Sequence, residues 1–349
     1  MPRCLKWGEE RRQECTEYRD EGYNKCSDWD EDCCDWWPCS WGCKLITWVC
    51  VAWYWVSNVV CVAWTWITTV VCLVWDVVTT VVNVIIETLE SILGWVLSFI
   101  AALIEIIFAI PILGRLIKWI WNVVLTAVWG LVGLVDAVFG LIGVRPEKKL
   151  RLCVVVIRDE KGVPVAQPSD VVPHLQNAID IFREEANVRV IPSAPFQYDS
   201  AFADDETATE DWVHVPDGQT GSELLDVDCG AGALGEDLWL TGTDAEILSM
   251  TQCFYGKWRR VVGYGAPIVV IVTREVGGPS RLGCSLGPLS DYVTIEGGNP
   301  ICLAHELGHA CNLWHVDGAT NLMNSACGGT QLDWWQVLLL RDSRHVTYF

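Results

Sequence analysis

Apolar positions follow two different rules along this chain. From Leu45 to Val144 almost every position is apolar, and Asp76, Glu87, Glu90, Glu105, Arg115, Lys118 and Asp136 are the only charges. From Lys148 onward short apolar runs alternate with polar stretches, as in an ordinary globular domain. This change, on a chain of 349 residues, predicts three regions: a charged segment 1–38, a hydrophobic region 39–144 and a globular domain 148–349.

Within the last region KKLRLCVVVIRD predicts a strand centred on Val154 to Ile157, and SDVVPHLQNAIDIFREEANV predicts a helix capped by Ser169 or Asp170. Val188 to Ile191 predicts a second strand. APIVVIVTREV predicts a third, ended by the turn residues of EVGGPSRLGCSLGPLS. The acidic, Gly-rich stretch between Ala201 and Glu246 reads as an irregular surface segment. ICLAHELGHACNLWH spaces Ile301, Leu303, Leu307 and Ala310 as a helix does, and TQLDWWQVLLLRDSRH predicts a closing helix.

The first half carries an internal repeat. Cys4, Cys15 and Cys26 are eleven residues apart, as are Cys39, Cys50, Cys61 and Cys72, and Trp follows three residues after most of them. The Val, Thr and Trp content favours strands, but an odd period turns a continuous strand over at every repeat. Eleven residues make three helical turns at about 3.67 residues each and keep every position in line. Long helices are therefore the preferred reading, with a β reading open, and a break is expected at Pro38. From Leu45 to Trp75 there is no charge, a length beyond the roughly 20 residues a bilayer-spanning helix needs. The runs Ile92–Leu113 and Trp119–Val144 could also span or form a hairpin, with Pro111, Gly114 and Arg115 in the turn. A helix apolar on all sides must be covered by lipid or by protein, so region 39–144 is expected to meet membrane lipid, other copies of the chain, or both.

Charge and cysteine narrow the partners. A net charge of -20 excludes nucleic acid, which requires clustered Lys and Arg. MPRCLKWGEERRQ lacks the apolar core of a cleavable signal peptide, so the expectation is a membrane-associated protein or one exported without such a signal. The cysteines of the repeat read as small packing residues first and as disulfides between chains or folded-back helices second.

The chemistry concentrates in HELGHACNLWHVDGATNLM. On a helix His305 and His309 lie one turn apart and face one side, so two neutral imidazoles can share a zinc ion, with Glu306 beside them as the base. His315 is out of reach unless the chain turns, and Asn312 is a residue that accepts the left-handed conformation such a turn requires. With Met323 following, the pattern resembles the metzincin zinc endopeptidases, in which HExxHxxGxxH precedes a Met-turn. Asn stands at 312 where that family has Gly, and Val316 follows the third histidine where the matrix-metalloproteinase branch has Ser.

The resemblance implies an α+β fold, a mixed twisted sheet with an active-site helix, spanning about Lys148 to Phe349 behind a long hydrophobic helical region. It implies zinc on His305, His309 and His315, Glu306 as the catalytic proton carrier, Met323 as the floor of the site, and a protein or peptide substrate. Cleft specificity is expected near Leu322 to Ser325 and Asp291 to Gly298. FADDETATED could hold calcium, as in some members of that family, although a solvated loop is the plainer reading. His174, His214 and His345 read as ordinary surface or core histidines. Cys284, Cys302, Cys311 and Cys327 could form disulfides bracing the site. The rival expectation is a pore-forming or self-assembling structural protein that carries the protease as passenger or vestige.

Overall fold

A computed structural model describes residues 100–101, 103–141, 145–192, 207–217, 224–227, 241–253, 257–277, 282–299 and 302–348. The expected repeat helices, the break at Pro38 and the acidic positions 204–206 lie outside the described residues. The chain divides into two compact units, and the architecture below is that of the second, residues 79–140 with 147–349.

Its centre is β1 (Lys148–Val156), whose apolar run from Leu152 to Val156 is what a strand buried on both faces requires. β1 pairs in parallel with β2 (Val188–Pro192), with β3 (Val213–His214) and with β5 (Ile268–Thr273). β5 carries β8 (Tyr292–Glu296) in parallel, and β8 carries the antiparallel strand β7 (Gly283–Ser285) at the edge. The closing β9 (Val346–Thr347) runs antiparallel to β1. The result is a mixed sheet of seven strands among the described residues, with β4 (Asp226–Val227) and β6 (Glu275–Val276) forming a separate pair.

Alternate side chains of β1 feed two cores. Leu150, Leu152, Val154 and Val156 face Leu175, Ile179 and Phe182 of α2 (Pro168–Ala186), together with Leu303 and Leu307 of the site helix and Leu340 near the C-terminus. Cys153, Val155 and Ile157 face Ala245 and Leu248 of α3 (Thr241–Gln252), and the Cys153–Cys253 disulfide ties β1 to the residue after that helix. Each buried Leu, Ile or Phe contributes about 1.5–3 kcal/mol.

Three local expectations change. The α2 helix is capped two residues before Ser169 and three before Asp170: Gln167 is the cap, Pro168 starts the helix, and the Asp170 carboxylate accepts the Gln167 N–H at 3.1 Å. α3 begins inside the stretch expected to be irregular. Its buried side includes Thr241, Thr243, Glu246 and Ser249, so it lacks the apolar stripe that marks a helix in sequence. In the hydrophobic region, helical residues within 100–108 are joined through a turn at 109–112 to α1 (Leu113–Leu141). Pro111 is in that turn and Ile112 takes the left-handed φ of 64°, whereas Gly114 and Arg115 already belong to α1. Gly114 is needed for contact, because a Cβ there would collide with the Ile107 carbonyl oxygen.

α1 is fixed to the domain through its polar side. Arg115 pairs with Glu246 at 3.0 Å, and Lys118 with Asp291 at 2.7 Å. Asp136 meets Arg341 at 3.0 Å and Lys148 at 3.2 Å. Arg260, on α4 (Lys257–Val262), bridges Glu246 at 3.0 Å and Glu105 at 3.2 Å. Asn122 and Thr126 donate to the carbonyls of Leu289 and Pro288.

Candidate metal centre

The site helix α5 (Leu303–Ala310) turns Leu303, Ala304, Leu307 and Ala310 into the core. That anchorage sends His305 and His309 to the opposite rim, one turn apart. The helix ends in a left-handed turn: Asn312 has φ 73°, Leu313 N–H donates to Gly308 O at 3.0 Å, and Asn312 N–H to His309 O at 3.2 Å. This is the paired 6→1 and 5→2 closure of a Schellman motif, and Asn is the usual residue for it after Gly. The reversed chain carries His315 back over the helix. Asn312→Ala should cost about 1–2 kcal/mol, since Ala pays the left-handed penalty and loses the side-chain bond to Leu339 O; urea unfolding would read it.

The three imidazoles converge. Nε2 of His305, His309 and His315 are mutually 3.1 Å apart. His305 Nδ1 lies 2.8 Å from Leu322 O, and His309 Nδ1 lies 2.8 Å from Leu313 O. A carbonyl only accepts, so both rings carry their proton on Nδ1 and present bare lone pairs at Nε2. Lone pairs facing each other at that distance repel, and a cation between them removes the repulsion. Among the described residues this is the one cluster of His, Cys, Asp or Glu able to hold a metal ion. Burial holds His305 below the usual histidine range and His309 down at about 4, which keeps both neutral, the form that can bind a metal. His315 is exposed, so the cluster opens to solvent on that side.

Glu306 is 5 % exposed, and its Oε2 has no hydrogen-bond partner among the described residues. Burial pushes its carboxyl up to about 8, a direction that a neighbouring cation would oppose. β7 passes directly over it: a Cβ on Gly283 would lie 2.7 Å from Glu306 Oε1. Met323 is fully buried against α5, where a Cβ on Gly308 would meet its Sδ at 2.5 Å.

No protein-family model, curated protein or solved structure matches this chain. The chemistry of the site therefore rests on its geometry.

The loop that carries Leu322 and Met323 is held from below by residues outside the sequence motif. Asn321 Oδ1 accepts Met323 N–H at 2.8 Å, and Asn321 Nδ2 donates to Gln336 Oε1 at 2.7 Å. Gln336 sits in the first turn of α6 (Trp334–Arg341), fully buried, where it also accepts Asp333 N–H at 2.8 Å. The only signal in sequence is an Asn two residues before the methionine. The Cys302–Cys327 disulfide joins the start of α5 to the far side of this loop. Cys284 is also disulfide-bonded, whereas Cys311 is a free buried thiol pushed up to about 12 by burial, and so not a thiolate ligand.

Of the expected specificity segments, Asp291 to Ile295, Leu322 and Met323 are buried, whereas Glu296 and Asn324 are half-buried and Gly298 and Ser325 are exposed. Half-buried Gly283–Ser285 takes the place beside Glu306. Those three residues carry no periodicity, and they become a strand only because β8 offers a partner. Positions 207–211 of the acidic cluster are described and enter a short 3-10 turn at Glu210–Trp212. His345 is a core residue whose Nδ1 lies 2.7 Å from Ala266 O, while His174 and His214 are half-buried.

Proposed function

We propose that this protein is a zinc-dependent endopeptidase of metzincin type, tethered to a membrane or to other copies of itself through its hydrophobic region 39–144. The observation that carries the reading is the convergence of three Nε2 atoms at 3.1 Å beside a buried glutamate whose Oε2 has no hydrogen-bond partner among the described residues. His305, His309 and His315 would hold the ion. When bound, zinc supplies Lewis acidity toward water and a peptide carbonyl. Glu306 accepts a proton from the attacking water and passes it to the leaving amine, and its dry surroundings strengthen that exchange. Among the described residues β7 is the last strand of the sheet, so an extended peptide that adds to it would lie alongside the site.

The test is cleavage of a diverse peptide pool by the zinc-loaded full chain, before and after chelation and after zinc is restored. Cleavage that vanishes and returns supports the endopeptidase; absence of cleavage with one zinc bound sinks it. Gly283→Ala probes the edge strand. The added methyl meets Glu306 first, so kcat/KM should fall about 10–10²-fold at unchanged zinc content.

A further inference from the structure

We propose that the hairpin of 100–108 and α1 seats the domain on a lipid bilayer with α1 lying in the plane of the membrane, its apolar face in the hydrocarbon, rather than crossing it. This deepens the tethering part of the proposed function and stands apart from the peptidase part.

α1 is turned inside out. Arg115, Lys118, Asn122 and Asp136 are buried against the domain, whereas Leu116, Ile120, Val124, Val128 and Leu131 face outward, with Leu131 74 % exposed. The turn adds Ile110 and Ile112, and the preceding residues add Leu103, Ile106 and Ile107. No charged side chain is exposed from 103 to 133. Monomeric soluble domains rarely leave a contiguous apolar patch beyond a few hundred Å².

By length and composition Leu113–Gly133 could cross a membrane. Its contacts argue otherwise. Bonds to the domain run from Arg115 to Asp136, which is about 30 Å of helix and as long as the hydrocarbon is thick. A crossing helix would draw Asp291, Lys148 and Arg341 with it into the hydrocarbon, at several kcal/mol for each ion. An in-plane helix leaves them on the aqueous side. Interfacial helices ordinarily carry a charged face toward water, and here the domain occupies that side. Trp121 and Trp129 donate their indole N–H to the Val261 and Val262 carbonyls at 2.8 and 2.9 Å, so two half-exposed amphipathic rings mark the border between the domain and the apolar face.

Lipid is the occupant the sequence favours. The chain leading into the hairpin is itself uncharged from Leu45 to Trp75, so a continuous apolar medium suits the region better than one flat protein contact. The net charge of -20 selects a zwitterionic surface over an anionic one.

The experiment places a fluorescent amino acid singly at Leu116, Val124 and Leu131 of the full-length chain, in phosphatidylcholine vesicles whose acyl chains carry bromine at graded depths. The expected result is equal loss of fluorescence at the three positions, greatest for bromine nearest the glycerol end. A deepest position at Val124 with shallow ends means a crossing helix and overturns the proposal. Absence of quenching at all three means that protein covers the face, and overturns it as well. Zinc content and peptide cleavage are scored on the same samples, so failure of the peptidase reading shows separately.

Discussion

Glu306→Gln is expected to lower kcat/KM for peptide cleavage by roughly 10²–10⁴-fold, the range that a positioned acid–base residue contributes. The substitution preserves volume and polarity at a site 5 % exposed, so the helix and its packing should persist. The imidazoles keep their Nδ1 bonds to Leu322 O and Leu313 O, so one zinc per chain should remain. Metal content and steady-state kinetics measured on one preparation decide it. Equal activity of parent and variant at equal zinc would remove Glu306 from the reaction; loss of zinc together with activity would give it a structural role instead.

Asp291→Asn is expected to destabilise the fold by about 3–5 kcal/mol, because it leaves buried cations without their counter-charge. Asp291 is 2 % exposed and meets Lys118 at 2.7 Å, Arg260 at 3.4 Å and Arg344 more closely still. Burial alone would raise its carboxyl, but Arg344, Lys118 and Arg260 together hold it well below the usual range. A depressed carboxylate contributes its stability in full above the unfolded value of about 3.9 and loses it as pH falls toward the native one. The parent should therefore lose stability through acid more steeply than Asp291→Asn. Chemical denaturation across pH reads both effects. Glu160→Gln is the matched exposed case: its pair with Arg274 at 3.0 Å lies in solvent, and its loss should leave the denaturation midpoint unchanged. Equal costs for the two substitutions would deny the Asp291 cluster its role.

Much of the site was legible because it is local. Four residues of helix bring His305 and His309 to one face whatever surrounds them, and Asn at 312 accepts the left-handed conformation that the reversal needs. The apolar run from Leu152 marked the strand β1 for a similar reason. Where local signals were absent the reading failed. Polar residues fill much of the buried side of α3, because Arg260 waits there for Glu246. β7 is three residues long and exists only beside β8.

What the sequence determined by itself is therefore the register of the three histidines, the turn that returns the third one, and the division of the chain into apolar and globular parts. All three follow from covalent spacing and backbone preference. The tertiary structure alone decided that the Leu322 carbonyl fixes the His305 tautomer, that Gln336 holds the methionine loop through Asn321, and that Gly283 crosses Glu306. It also decided that the charges of the hydrophobic hairpin face inward. Lys118 is 173 residues from Asp291 and Asp136 is 205 from Arg341, and no local pattern records which distant charge a buried ion will meet.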